Sequence, residues 1–300
     1  MTLEGKKILV TGGTGLIGSP TVKLLLSKGA SVTCLTRVKR RSYHKKLTFV
    51  QHDLNTTHVP RSIAHKSFDI GVYLAASIPP LDEPKESLDQ AVNNTFKPLT
   101  VFLKQFGSQF KCIVFSSSID VYGYPKSMNY HENTKLNPQT PYALAKHLSE
   151  LYLEYFTQMN NIRLSVLRFA QVYGPNEQLV RVIPHILNAA KHGKPFKLYG
   201  NIRNRRKFLF SEDAAAAICR AAETDVGGVF HIAGSEVVTV GDILSIVERC
   251  TGKELQVEYA RVKSPISHNV PSTRKAKRLL QFTPNATIYE GLKKTITQAA

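Results

Sequence analysis

The stretch Lys7-Ile8-Leu9-Val10-Thr11-Gly12-Gly13-Thr14-Gly15-Leu16-Ile17-Gly18 decides the fold. Its first five residues predict a strand, and the apolar spacing from Ile17 to Lys28 predicts a helix. Between them Gly12, Gly15 and Gly18 recur at every third position. Glycines placed this way permit a tight turn, a close approach of backbone to a pyrophosphate, and close packing of helix on sheet. The helix then turns its free N–H groups toward the phosphates. A glycine pattern alone is weak, but one that follows a strand and opens a helix predicts a dinucleotide-binding turn. Gly12, Gly15, Leu16, Ile17 and Gly18 are therefore candidate cofactor contacts.

Strand and helix patterns alternate on either side of this turn. Further strands are predicted at Ser31–Thr36, Leu47–Val50, Ile70–Leu74, Lys111–Ser116 and Arg163–Phe169. Helices are predicted at Leu88–Gln105 and Tyr142–Met159, the second carried by Leu144, Leu148, Leu151, Tyr155 and Phe156. Strands this apolar are buried on both faces, as in a parallel sheet covered by helices. The expected fold is α/β: a doubly wound, Rossmann-type parallel sheet over residues 1–170. After Gln171 the texture changes, with Pro175, Pro184 and Pro195 punctuating the chain. Residues 171–300 are expected to form mainly a smaller substrate lobe. Within it a helix is predicted at Thr239–Cys250 and a strand at Leu255–Tyr259, and Val229–Ile232 is expected to return to the main sheet.

A chain of 300 residues with 42% hydrophobic and 21% charged residues has the material for a packed core of this kind. No apolar run reaches the roughly 18 residues of a membrane span. The first ten residues lack the layout of a signal peptide, so a cytoplasmic protein is expected. The four cysteines show no C-x-x-C spacing and the ten histidines no metal-ligand spacing, so neither disulfide nor metal is expected. The formal charge of +18 fits either nucleic acid or an anionic small substrate. Basic residues are spread along the chain, with one cluster from Arg37 to Lys46.

That cluster lies where the cofactor is chosen. An acid at the end of the second strand would bind the adenosine ribose hydroxyls and repel a 2′-phosphate. Here the strand ends Cys34-Leu35-Thr36-Arg37. Thr36 takes the place of the acid, and Arg37 offers a fork of donors suited to phosphate. NADP(H) is favoured, with NAD(H) left open. Asp53, beside Leu54 after the third strand, is placed to accept from the adenine amino group.

Tyr142-Ala143-Leu144-Ala145-Lys146 puts a phenol and an ammonium on one helix face. The ammonium is expected to lower the phenol's pKa, so that the tyrosine can move a proton to or from a sugar or alcohol oxygen. Lys146 is also expected to hold the nicotinamide ribose. Upstream, Phe115 to Gly123 contains three serines at the carboxyl end of a strand, the edge where open α/β sheets bind ligands.

The glycine turn, Leu74-Ala75-Ala76, Ser116 to Gly123, Tyr142 with Lys146, and Arg168-Phe169-Ala170-Gln171-Val172-Tyr173-Gly174-Pro175 together resemble the extended short-chain dehydrogenase/reductase superfamily. Within it the chain resembles the nucleotide-sugar epimerase/dehydratase branch, from residue 6 to about residue 285. The resemblance implies a Ser118/Tyr142/Lys146 triad and cofactor contacts that include Leu74, Ala75, Ala76 and Phe169. It implies a homodimer paired through the two long helices. It also implies that Tyr199-Gly200 through Arg206-Lys207-Phe208 grips a nucleotide diphosphate, with Arg206 on phosphate, and that Ser272–Ala276 is a late segment of the same lobe. Gln171 stands where the family usually has a substrate-facing Asn. Ser118-Ile119-Asp120 lacks the paired acids of the dehydratases, which disfavours dehydration.

The first expectation is an enzyme that reduces a 4-keto nucleotide-diphosphate sugar with NADPH. The alternative is a nucleotide-sugar 4-epimerase, similar to UDP-glucose 4-epimerase, that retains NAD. A reading from another class is a non-catalytic Rossmann protein that binds RNA or senses redox state. The complete triad argues against it, and neither nucleic acid nor membrane is an expected partner.

Overall fold

The computed structural model describes residues 2–56, 58–78, 86–125, 127–177, 181–198, 201–259 and 268–299. The chain opens β1 (Lys7–Thr11), α1 (Gly18–Ser27), β2 (Ser31–Thr36), β3 (Leu47–Gln51), α2 (Arg61–Ala64) and β4 (Ile70–Tyr73). It continues through α3 (Leu88–Ala91), a π turn (Val92–Phe96), α4 (Lys97–Phe106), β5 (Cys112–Ser118), α5 (Pro141–Met159) and β6 (Arg163–Phe169). The later elements are β7 (Gln171–Tyr173), α6 (Val182–His192), β8 (Phe196–Leu198), β9 (Arg205–Arg206), β10 (Phe208–Phe210), α7 (Ser211–Glu223), β11 (Gly228–Ile232), β12 (Val238–Thr239), α8 (Val240–Thr251), β13 (Val257–Tyr259) and α9 (Ile288–Ala299).

Seven strands form one sheet in the order β11-β6-β5-β4-β1-β2-β3, and every pairing is parallel. This is the doubly wound topology that the alternating patterns predict. Apolar side chains cover both faces. Val22, Leu25 and Ile218 pack on one side, and Phe102, Phe106 and Leu153 on the other. Register brings the functional segments to one edge. Thr11 pairs with Leu35 and with Tyr73, and Ser118 pairs with Phe169. The glycine turn, the end of β2, Leu74 and Ser118 therefore all emerge at the carboxyl edge of the sheet.

Two helices depart from the sequence pattern. The helix expected over Leu88–Gln105 is interrupted by the π turn at Val92–Phe96. Pro98, just inside α4, has no N–H to give the carbonyl four residues back, so the backbone widens before it. In α5 the predicted apolar stripe is not the buried face: Leu144, Leu148 and Phe156 are half-buried. Leu151 and Tyr155 are exposed, whereas the buried face carries Ala143, Ala145, Lys146, Ser149, Glu150, Leu153 and Thr157. Thr140 caps this helix by accepting from the Ala143 N–H at 3.1 Å, and Pro141 supplies a first-turn φ.

A second core, built on Ile183, Ile186, Phe196, Ile243, Val247 and Leu292, lies under α6, α8 and α9. Three short two-stranded pairings, β7 with β10, β9 with β12 and β8 with β13, tie it together. No helix among the described residues is long and apolar enough to cross a membrane. The four cysteines are free thiols.

Candidate active site

A cleft of about 2800 Å³ runs along the carboxyl edge of the sheet and under the second core. The glycine turn forms its floor. Gly12 has φ +67°, and a Cβ there would meet the Ala75 nitrogen at 2.8 Å. A Cβ on Gly18 would meet the Gly12 carbonyl oxygen at 2.0 Å. Thr11 fastens this turn to the neighbouring strand, its hydroxyl oxygen accepting from the N–H groups of Leu74 and Ala75, both at 3.1 Å. No side chain caps α1, so its first N–H groups face the cleft without a side-chain acceptor.

The structure brings the sequence-predicted residues to this one cleft. Gly12, Gly15, Leu16, Ile17, Gly18, Thr36, Arg37, Asp53, Leu54, Leu74, Ala75 and Ala76 line one end, with Ser118, Tyr142, Phe169, Gln171 and Arg206 further along. Tyr199 and Gly200 lie outside the described residues. Thr36 gives its hydroxyl proton to the Val38 carbonyl at 2.8 Å, which shapes the turn that follows β2. Arg37 and Arg40 are exposed beside it and have no carboxylate partner among the described residues. One Asp53 carboxylate oxygen accepts the Asn55 N–H at 2.9 Å.

Lys146 is the one predicted residue that does not line the cleft. It is 1% exposed, and its Nζ donates to the Ser116 carbonyl at 2.7 Å. The ammonium sits 4.9 Å from the Phe115 ring centroid and 5.9 Å from that of Tyr142. Burial pushes it down to about 7 from a usual 10.5, and Glu150 pulls the other way. Tyr142 moves opposite to the sequence expectation. Burial raises its phenol above the usual value; Asp120 and Glu86 add to this and Arg181 opposes it. The reason is geometric: the lysine turns to the Ser116 carbonyl rather than to the phenol oxygen. Ser118 Oγ accepts from the Asp120 N–H at 3.1 Å, leaving its own hydroxyl proton to donate into the cleft.

Arg206 lies on β9, whose backbone pairs with β12 and bridges to Asn269. Burial lowers the pKa of its guanidinium, and Asp120, Tyr124 and Tyr130 pull it back. Near Tyr142 the structure also places groups that the sequence did not single out. Glu177 is pushed up to about 7 by burial, with Arg181 opposing. One carboxylate oxygen each on Glu86 and Glu177 is buried without a hydrogen-bond partner among the described residues. These residues sit in irregular stretches, where periodicity carries no signal.

Comparison with known proteins gives a consistent result. The profile of the NAD dependent epimerase/dehydratase family matches residues 8–233. A UDP-glucuronate 4-epimerase of Thermodesulfobacterium geofontis is 26% identical over 96% of this chain and 94% of its own. A UDP-N-acetylglucosamine 4-epimerase of Methanobrevibacter ruminantium, solved in complex with UDP-N-acetylmuramic acid, superimposes with a TM-score of 0.87 at 27% identity, covering 98% of each chain. MoeE5, solved in complex with UDP-glucose and NAD, gives a TM-score of 0.82 at 26% identity over 97% of this chain and 98% of that one.

Proposed function

The chain belongs to the NAD-dependent epimerase/dehydratase family, and from that premise we propose that it is a nucleotide-sugar 4-epimerase that keeps its dinucleotide bound. The observation that carries this reading is the convergence of Ser118 and Tyr142 on a cleft floored by a glycine turn, with Lys146 directly behind. Epimerase relatives covering nearly the whole chain support the epimerase over the reductase expected from sequence.

The residues fit a dinucleotide. A side chain on Gly12 or Gly18 would strike the backbone of Ala75 or of the turn itself, so glycine keeps the turn tight, and α1 opens on it with no side-chain cap. NAD held along this turn would supply a hydride acceptor and then a hydride donor. Tyr142 takes the proton from the sugar 4-hydroxyl and, after the 4-keto sugar has rotated to offer its other face to hydride, returns it to the same oxygen. Ser118 donates its hydroxyl proton to the same oxygen, held in place by the Asp120 N–H. Arg206 pairs with the diphosphate, at the mouth of the pocket that Gln171 lines. The exposed apolar stripe of Leu151, Tyr155 and Met159 on α5 supports a homodimer through that helix.

Thr36, Arg37 and Arg40 favour a second reading, a reductase drawing on NADPH. Two exposed guanidinium groups stand by the end of β2, where Thr36 takes the place of an acid that would repel an adenosine 2′-phosphate. One experiment separates the two. The purified protein is assayed for interconversion of UDP-glucose and UDP-galactose, and of their N-acetylated forms, without added cofactor, and the cofactor released on denaturation is identified. Epimerisation with stoichiometric NAD is expected. Oxidation of added NADPH by a 4-keto sugar nucleotide, with no epimerisation, would replace the epimerase by the reductase.

A further inference from the structure

Behind the cleft lies a polar cluster that the proposed mechanism does not use. Ser117, Arg168 and His231 are cross-strand neighbours in one row over β5, β6 and β11. Glu150, one helical turn beyond Lys146 on α5, comes down on this row. Arg168 grips its carboxylate with two bonds, Nε to Oε1 at 3.0 Å and Nη2 to Oε2 at 2.6 Å. The Ser117 hydroxyl donates to Oε1 as well. The third Arg168 nitrogen reaches the Tyr122 hydroxyl and the Glu132 carbonyl. The Tyr122 hydroxyl meets His231 Nε2 at 2.7 Å, while His231 Nδ1 lies 3.1 Å from the Ser272 carbonyl. The Ser272 carbonyl makes Nδ1 a donor, and burial, which depresses the ring's pKa, favours the neutral ring whose Nε2 accepts from Tyr122.

A fully buried ion pair contributes little net stability, and apolar residues of the same shape often do as well. What this pair does is local. Lys146 holds the Ser116 carbonyl and Glu150 holds the Ser117 hydroxyl, so two residues one turn apart on α5's inner face fix the strand end that presents Ser118. The ammonium has one oxygen acceptor and an aromatic face around it. The facing groups are Phe115 and Ser116 from β5, Tyr142 and Glu150 from α5, and, behind Glu150, Arg168 from β6 and Tyr122. Of these Glu150 supplies the negative charge that acts on Lys146. Lys146 and Glu150 are both buried, one turn apart on the same face of α5.

We propose that Glu150, clamped by Arg168 and Ser117, is a positioning residue that keeps Lys146 charged and seated on the Ser116 carbonyl. This rests on the epimerase reading only for its catalytic consequence, since the charge of Lys146 can be observed without substrate. The lysine side chains are labelled with ¹³C at Cε, and the Lys146 resonance is assigned by its loss in Lys146→Arg. Its midpoint is followed with pH in the parent protein, in Glu150→Gln, and in the double variant Glu150→Leu/Arg168→Met. The double variant removes both ends of the ion pair, so no unpaired Arg168 guanidinium is left buried, and it remains folded where Glu150→Gln does not. The midpoint is expected to move down by about one pH unit or more in each folded variant, with Glu150→Asp restoring most of it. The alkaline limb of turnover is expected to move with it. An unmoved midpoint in the folded double variant would overturn the proposal. A moved midpoint in a protein that epimerises no nucleotide sugar would retain it and remove the proposed function instead.

Discussion

At the reaction end of the cleft Ser118 and Lys146 are fastened from behind, whereas at the adenosine end the charged side chains stand in solvent. Ser118 is held by the Asp120 N–H and Lys146 by the Ser116 carbonyl, with the Glu150–Arg168 pair beneath. Arg37 and Arg40 have only the β2–β3 turn to carry them. Proton transfer demands a fixed distance and a fixed charge state, and burial with hydrogen bonds supplies both. Attracting a phosphate demands only positive charge at the rim, which solvent and salt attenuate. The same cleft therefore couples a rigid end, sensitive to single atoms, to a soft end tuned by charge count.

The largest effect expected under this contrast is at Tyr142. Loss of its hydroxyl in Tyr142→Phe should lower turnover by about a hundredfold to ten-thousandfold, with melting temperature and cofactor binding almost unchanged. Near-normal turnover would remove the tyrosine from the reaction and break the contrast at its rigid end.

A smaller effect, with a definite sign, is expected for Lys146→Met. In the folded protein Lys146 titrates at about 7, well below the usual 10.5. Between those values the unfolded chain binds more protons, so this residue makes stability rise as pH increases through that window. The methionine variant should lose turnover yet match or exceed the parent's stability at pH 7, and its stability should vary less from pH 7 to 10. Denaturant midpoints at the two pH values measure this. An unchanged slope would mean that burial is not what governs the lysine.

The smallest effect belongs to the solvent end. Replacing both Arg37 and Arg40 with alanine should lower the ratio of NADP(H) to NAD(H) affinity by about tenfold or more at low salt, the worth of one charge-assisted bond. The ratio should change less at high salt, with stability unaffected. Fluorescence titration of both cofactors at two ionic strengths reads this. A ratio indifferent to the two arginines would leave Thr36 alone at that rim.

The legible parts of this protein are those whose signal is local. The strand, glycine turn and helix from Lys7 to Ser27 follow one another within a few residues, and their order is enough to place a dinucleotide turn. Tyr142 and Lys146 share a helix face because their spacing is one turn. The π turn before α4 was also written in the chain, in Pro98, but helical periodicity over Leu88–Gln105 runs across it. In α5 the apolar pattern identified a helix correctly, yet its inner face mixes Ala143, Ala145 and Leu153 with polar residues. Lys146, Ser149 and Glu150 are buried there while Leu151 and Tyr155 look outward.

The sequence by itself determined the fold class, the cofactor turn and the tyrosine–lysine pair, because each is a short-range periodicity or spacing. Tertiary structure decided the rest. It turned Lys146 away from the cleft onto a backbone carbonyl, reversing the expected effect on Tyr142. It also assembled Glu150, Arg168, Tyr122 and His231 into one cluster, although Tyr122 and His231 are 109 residues apart. Such meetings are fixed by the order and register of the parallel strands. Strand register is a property of the whole packed sheet and leaves no mark in a local stretch of chain.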